Sequence, residues 1–147
     1  MNIVVGVDLS ESSEIIVNTA GEVAKAFSSK LWIIHAAAPE PDFIGYDAGP
    51  QSVRDSIARN LKKEHVELQA LADNVRESGI DVTALLIQGP AVDVILKEAS
   101  KLNANMIVLG SHGRGAMLQL IVGSVSNGVL KSAECPVLIV PSVITGS

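Results

Sequence analysis

A doubly wound α/β domain, an open parallel sheet with helices on both faces, is what this sequence predicts. Three observations carry the reading. Five short apolar runs rich in Val, Ile and Leu alternate with four longer stretches. Those stretches carry helical periodicity. The runs are largely continuous in apolar residues, as strands covered on both faces are. The resulting order, β-α-β-α-β-α-β-α-β, is that of repeated crossover units, which build parallel sheets.

The first strand is expected over Ile3 to Val7, a β-branched run. Ser10 to Ser13 then supply helix-capping hydroxyls, and Glu11 and Glu14 lie where the helix dipole favours a carboxylate. Ile15, Ile16, Ala20, Val23, Ala24 and Phe27 recur at spacings that place them on the inner face of a first helix. A second strand follows over Leu31 to Ala38, and Pro39, Pro41, Gly45, Gly49 and Pro50 break regular structure after it. Val53, Ile57, Leu61, Leu68, Leu71 and Val75 mark a long amphipathic helix ending near Gly79. The third strand is expected over Asp81 to Ile87. Gly89-Pro90 opens the next helix, with proline near the first helical position, where its missing N–H costs nothing. Val94, Ile95, Ala99 and Leu102 form the inner face of that helix. Met106 to Leu109 and Val137 to Val140 are the fourth and fifth strands, with a glycine-rich stretch and a short helix, Ser124 to Ser132, between them.

Length and composition narrow the function. The 147 residues fit one domain, 1–147, without a linker or internal repeat. With 48 % hydrophobic residues, 18 % charged residues and a mean hydropathy of +0.37, the chain is no disordered segment. Eleven Lys and Arg against 16 Asp and Glu give a net charge of −5, and aromatics are only 3 %, so the expectation is no nucleic-acid partner. Cys135 stands alone, which leaves no intrachain disulfide and no Cys-based zinc site. No signal peptide is expected ahead of Ile3, and no apolar run approaches the ~18 residues of a membrane span. The expectation is a cytoplasmic protein without a membrane partner.

In open parallel sheets, ligands bind beyond the carboxyl ends of the strands, at a topological switch point. After the fourth strand comes Gly110-Ser111-His112-Gly113-Arg114-Gly115, three glycines in six positions. Glycine lets backbone turn tightly and approach a ligand without a Cβ in the way. Gly123-Ser124 then opens the last helix, where free N–H groups, the dipole and a hydroxyl suit a phosphate, and Arg114 adds a positive charge. The same residues also fit a plain glycine turn and a capped helix. Neither a Walker A loop nor a dinucleotide fingerprint occurs.

Gly110-x2-Gly113-x9-Gly123-Ser124 is similar to the ATP-binding signature of the universal stress proteins. Val4-Val5-Gly6-Val7-Asp8-Leu9-Ser10, Ile33-Ile34-His35-Ala36 and Cys135-Pro136-Val137-Leu138-Ile139-Val140 resemble further stretches of that family, so the likeness covers nearly the whole chain. The resemblance implies a Rossmann-like five-stranded parallel sheet of order 3-2-1-4-5 that binds ATP and dimerises. It implies that Gly6, Val7 and Asp8 border adenine and ribose, and that Ala36, where the family often has Val, meets adenine through its backbone. Gly110, Ser111, His112, Gly113 and Arg114 would line ribose and phosphates. Gly123, Ser124, Val125 and Ser126 would cradle the phosphates. A divalent ion, Mg2+ or Mn2+, would accompany the triphosphate, held by phosphate and water because no carboxylate cluster suggests a protein cage.

Other residues read as structural. His35, His65 and His112 lie on different elements without metal-ligand spacing, and His35 reads as a half-buried strand residue. Cys135 has no evident activating partner. Ser10, Ser12 and Ser13 lack a nucleophile elbow. Arg59, Lys62, Lys63, Glu64 and Glu67 read as a solvated helix face. The leading function is an ATP-binding stress-response or regulatory homodimer with little intrinsic catalysis. The dimer is expected through the apolar C-terminal strand, Val137 to Val140. A slow ATP hydrolase or nucleotidyl-transferring enzyme is the alternative, resting on His112. A response-regulator receiver ranks below both, since Gln88-Gly89 follows the third strand where it would need an aspartate.

Overall fold

Five parallel strands lie in the order β3-β2-β1-β4-β5. They belong to a computed structural model that describes residues 1–37, 51–111 and 123–141. The strands are β1 (Asn2–Val7), β2 (Lys30–Ala37), β3 (Val82–Gln88), β4 (Met106–Gly110) and β5 (Val137–Val140). The helices are α1 (Ser13–Ala26), α2 (Gln51–Arg76), α3 (Ala91–Lys101) and α4 (Ser124–Ser132). The β-α-β-α-β-α-β-α-β order of the sequence reading is the observed one, and so are the bounds of α4 and β5. The chain winds outward from β1 to one edge, then returns and winds to the other. That reversal falls between β1 and β4, which pair at Ile3↔Met106, Val4↔Ile107 and Val5↔Val108, and it leaves the switch-point crevice beyond their carboxyl ends.

Because successive side chains of a strand point to opposite faces, the apolar runs feed two cores. Ile3, Val5, Leu31, Ile33 and Val108 meet Ile16, Val17, Ala20 and Ala24 of α1 and Leu68, Ala72 and Val75 of α2. On the other face, Val4, Ile34, Ile107 and Leu109 meet Val94, Ile95 and Ala99 of α3 and Val129 of α4. Burying a branched aliphatic side chain contributes about 1.5–3 kcal/mol. The sheet is thus held by aliphatic packing on both sides, with almost no aromatic contribution.

The inner face of α1 is narrower than expected. Ile15 and Phe27 are 52 % and 55 % exposed. Ile16, Ala20 and Ala24 form the stripe that faces the sheet, with Val17 and Gly21 beside them. One residue is a rotation of about 100° on a helix of 3.6 residues per turn, which carries Ile15 off that stripe. Phe27 is the C-cap, past the last turn. Capping also differs: Ser12 is the N-cap of α1 but makes no side-chain cap bond. Pro90 is the N-cap of α3 rather than its first helical residue. The third strand begins at Val82 rather than Asp81. The expected end of β2 at Ala38 and the proline- and glycine-rich stretch 39–50 lie outside the described residues. Among the described residues, no helix is long and apolar enough to cross a membrane.

Candidate nucleotide site at the strand ends

Val7 and Gly110, the last residues of β1 and β4, end neighbouring strands where the winding reverses. After Val7, Asp8 folds its carboxylate back so that Oδ1 accepts the Ser10 N–H at 2.9 Å. Between them Leu9 sits at φ 61, in the left-handed region. For a residue with a Cβ that conformation costs roughly 1–2 kcal/mol. Leu9 offsets the cost by packing against the α1/α2 core. Nothing in its residue type marks it in the sequence. It is the feature of this turn that sequence reasoning missed.

Gly6 has a packing reason to be glycine. A Cβ there would lie 2.8 Å from both Ile95 Cδ1 and Leu109 Cδ2. Its missing side chain lets α3 close onto β1, so the strand under the site is set by helix packing. Ala36 is half-buried near the end of β2, in register with Ile87.

At the β4 end, the chain is tied to the start of α4. Ser111 N–H donates to the Val140 carbonyl at 2.9 Å, and Gly123 N–H donates to the Ser111 carbonyl at 2.6 Å. Gly123 is the N-cap of α4, with φ −61 and ψ 163. The helical ladder begins with Asn127 N–H donating to the Gly123 carbonyl at 2.9 Å. The amides of Ser124, Val125 and Ser126 precede that first bond and have no helical acceptor, which makes them donors for an anion. The Ser126 hydroxyl is already engaged. It is buried and donates to the Gly110 carbonyl at 2.7 Å. It therefore fixes α4 against β4, and only its amide is left for a ligand.

The bond between Gly123 and Ser111 brings together the two ends of segment 112–122. His112, Gly113 and Arg114 fall in that segment, outside the described residues. The structure thus gathers Gly6, Val7, Asp8, Gly110, Ser111, Gly123, Ser124, Val125 and Ser126 at the carboxyl ends of β1 and β4, with Ala36 on the adjacent strand. Among the described residues, no group of three or more His, Cys, Asp or Glu could hold a metal ion.

His35 is buried, not half-buried as the sequence suggests: it is 6 % exposed. Its imidazole Nδ1–H donates to the Val7 carbonyl at 3.0 Å. Its Nε2 lies 3.4 Å from Glu64 Oε2 of α2, without hydrogen-bond geometry. The ring thereby connects α2 to the end of β1, one residue from Asp8.

Comparison with known proteins agrees with the sheet order. The chain is 36 % identical over 117 residues to the universal stress protein in QAH/OAS sulfhydrylase 3'region of Thermus aquaticus, covering 80 % of this chain and 81 % of the relative. A universal stress protein solved in complex with cAMP superimposes with a TM-score of 0.74 at 26 % identity, covering 97 % of this chain and 98 % of that one. The protein MJ0577 superimposes with a TM-score of 0.83 at 19 % identity, covering 99 % and 97 %, a likeness of fold. The sequence profile described as the universal stress protein family matches residues 1–141. With that match, and with the sheet order and strand-end site described above, the chain belongs to the universal stress protein family.

Proposed function

We propose that this chain is an ATP-binding regulatory protein of the stress response, working as a homodimer with little intrinsic catalysis. The observation that carries the reading is the first turn of α4. Three of its amides have no acceptor among the described residues, and the turn is held beside the end of β4 by the bonds from Gly123 to Ser111 and from Ser126 to Gly110. Charge-assisted bonds from backbone N–H groups to phosphate oxygens need no side-chain cation. The relative that binds cAMP supports an adenine nucleotide over other phosphates. Asp8 and Ala36 are assigned to the ribose and adenine, and His112, Gly113 and Arg114 to the phosphates. Mg2+ or Mn2+ accompanies the triphosphate on phosphate oxygens and water, since Asp8 is the one carboxylate assigned to the site and its Oδ1 accepts from Ser10.

The dimer is assigned to β5. Among the described residues this strand pairs with β4 alone and ends the sheet, and Val137, Leu138 and Ile139 are only half-buried. An edge strand with no described neighbour on its outer side offers a row of backbone groups to a second copy. Pairing about a two-fold axis is the commonest arrangement among homo-oligomers.

Titration calorimetry of the purified protein with ATP, GTP and cAMP tests the nucleotide. ATP is expected to bind more tightly than GTP. Equal or absent binding of both overturns the reading. Steady ATP hydrolysis is expected to fall far below the ~10 per second of a typical enzyme. Turnover at that rate would instead favour the hydrolase alternative.

A further inference from the structure

The parallel crossovers place the ends of α3 and α4 at the same end of the sheet as the starts of β4 and β5, opposite the nucleotide site. There the two helices leave between them an open cleft of about 360 Å³. Leu96, Ala99 and Ile107 supply its apolar floor, and Ser100, Asn103, Ser132 and Glu134 bring polar groups to it. Its volume lies at the lower end of the range for small-molecule sites, roughly 300–1,000 Å³.

The electrostatics of this cleft are one-sided. The end of α3 is closed: Asn103 N–H donates to the Ser100 carbonyl, Ala104 N–H to the Ala99 carbonyl and Asn2 Nδ2 to the Leu102 carbonyl. The end of α4 is open. Ala133 N–H donates to the Val129 carbonyl, and Ala133 then turns to extended backbone at ψ 138. Among the described residues, no donor reaches the carbonyls of Leu130, Lys131 or Ser132. A helix C-terminus carries partial negative charge, and unsatisfied carbonyls concentrate it. Glu134 adds a full negative charge two residues further on and is the one charged residue lining the cleft. Neither Lys131 nor Lys101, which lies 3.5 Å from Glu98 Oε1, is part of the lining. The thiol of Cys135, also in the lining, is pushed above the usual cysteine range by burial and, to a smaller extent, by the Glu134 carboxylate.

We propose that this cleft is a second ligand site, for a small primary alkylammonium. The ammonium group donates to the Glu134 carboxylate and to the carbonyl of Ser132, the one open α4 residue in the lining, and the alkyl stem covers Leu96, Ala99 and Ile107. The site is independent of nucleotide binding and stands or falls without it.

The test is an NMR titration of the full chain with n-butylammonium, n-butanol and butyrate, following the backbone amides of Ser100, Asn103 and Cys135. Butylammonium is expected to shift all three saturably, butanol to bind more weakly and butyrate not to bind. Glu134→Gln is expected to weaken butylammonium about three- to fivefold, the scale of an exposed charge pair, and to leave butanol unchanged. Glu134 is exposed, so this substitution does not threaten the fold. Saturable shifts absent at these amides, equal binding of butylammonium and butyrate, or an unchanged butylammonium affinity in Glu134→Gln would each overturn the proposal.

Discussion

The hydroxyl of Ser126 donates to the carbonyl of Gly110 at 2.7 Å and ties the first turn of α4 to the last residue of β4. Removing it should have two effects. Ser126→Ala leaves the Gly110 carbonyl without this donor, at a cost of about 1 kcal/mol in a denaturant titration. It should also weaken ATP binding, because the three free amides of the turn lose their fixed distance from β4. Ser126→Thr keeps the hydroxyl and is expected to retain more of both. An Ala variant with unchanged ATP affinity would show that Gly123 alone holds the turn.

His35 offers a second test, of stability. Replacing it by Leu fills the space but withdraws the donor from the Val7 carbonyl, with an expected cost of about 1–3 kcal/mol. His35→Asn keeps an N–H near the position of Nδ1 and should cost less. Equal losses in the two variants would mean that ring volume, not the hydrogen bond, is what β1 needs.

Gly113 and Arg114 separate backbone from charge in the phosphate contact. If the backbone at residue 113 approaches the phosphates closely, Gly113→Val abolishes ATP binding while circular dichroism and melting change little. Arg114→Ala should weaken binding less, since an exposed charge is screened by salt. Wild-type affinity in Gly113→Val would reduce the glycine motif to a turn.

The β5 edge predicts the oligomer. Leu138 packs toward the α1/α2 core and Ile139 toward the α3/α4 core, so the strand is anchored on both faces while its outer backbone edge is unpaired by any described strand. Leu138→Lys or Ile139→Lys should convert a dimer to monomer in light scattering. A monomeric wild type at micromolar concentrations would refute edge pairing directly.

Much of this fold is legible in the residue order. Continuous runs such as Ile3 to Val7 and Val137 to Val140 can bury both faces only inside a covered parallel sheet. Gly123 before a short periodic segment reads as a helix start because glycine fits a non-helical cap and Ser124 to Ser132 fit a helix. The candidate site was likewise visible as spacing, since Gly110 and Gly123-Ser124 bracket one short segment whatever the rest of the chain does. Local periodicity and local backbone freedom determine such features, and both are properties of neighbours in sequence.

Tertiary structure decided what depends on distant partners. Gly6 resembles a ligand-contact glycine in sequence, but its Cβ space is taken by Ile95 and Leu109, residues far along the chain. Ser126 offers a hydroxyl and an amide alike in sequence, and only the structure shows the hydroxyl bonded to the Gly110 carbonyl. His35 became buried because Val7 and Glu64 close on its two nitrogens from different elements. Leu9 holds a left-handed turn that no propensity assigns to leucine, because the core beneath it repays the strain. Sequence periodicity sets which face a residue takes; only packing across the sheet sets what that face meets.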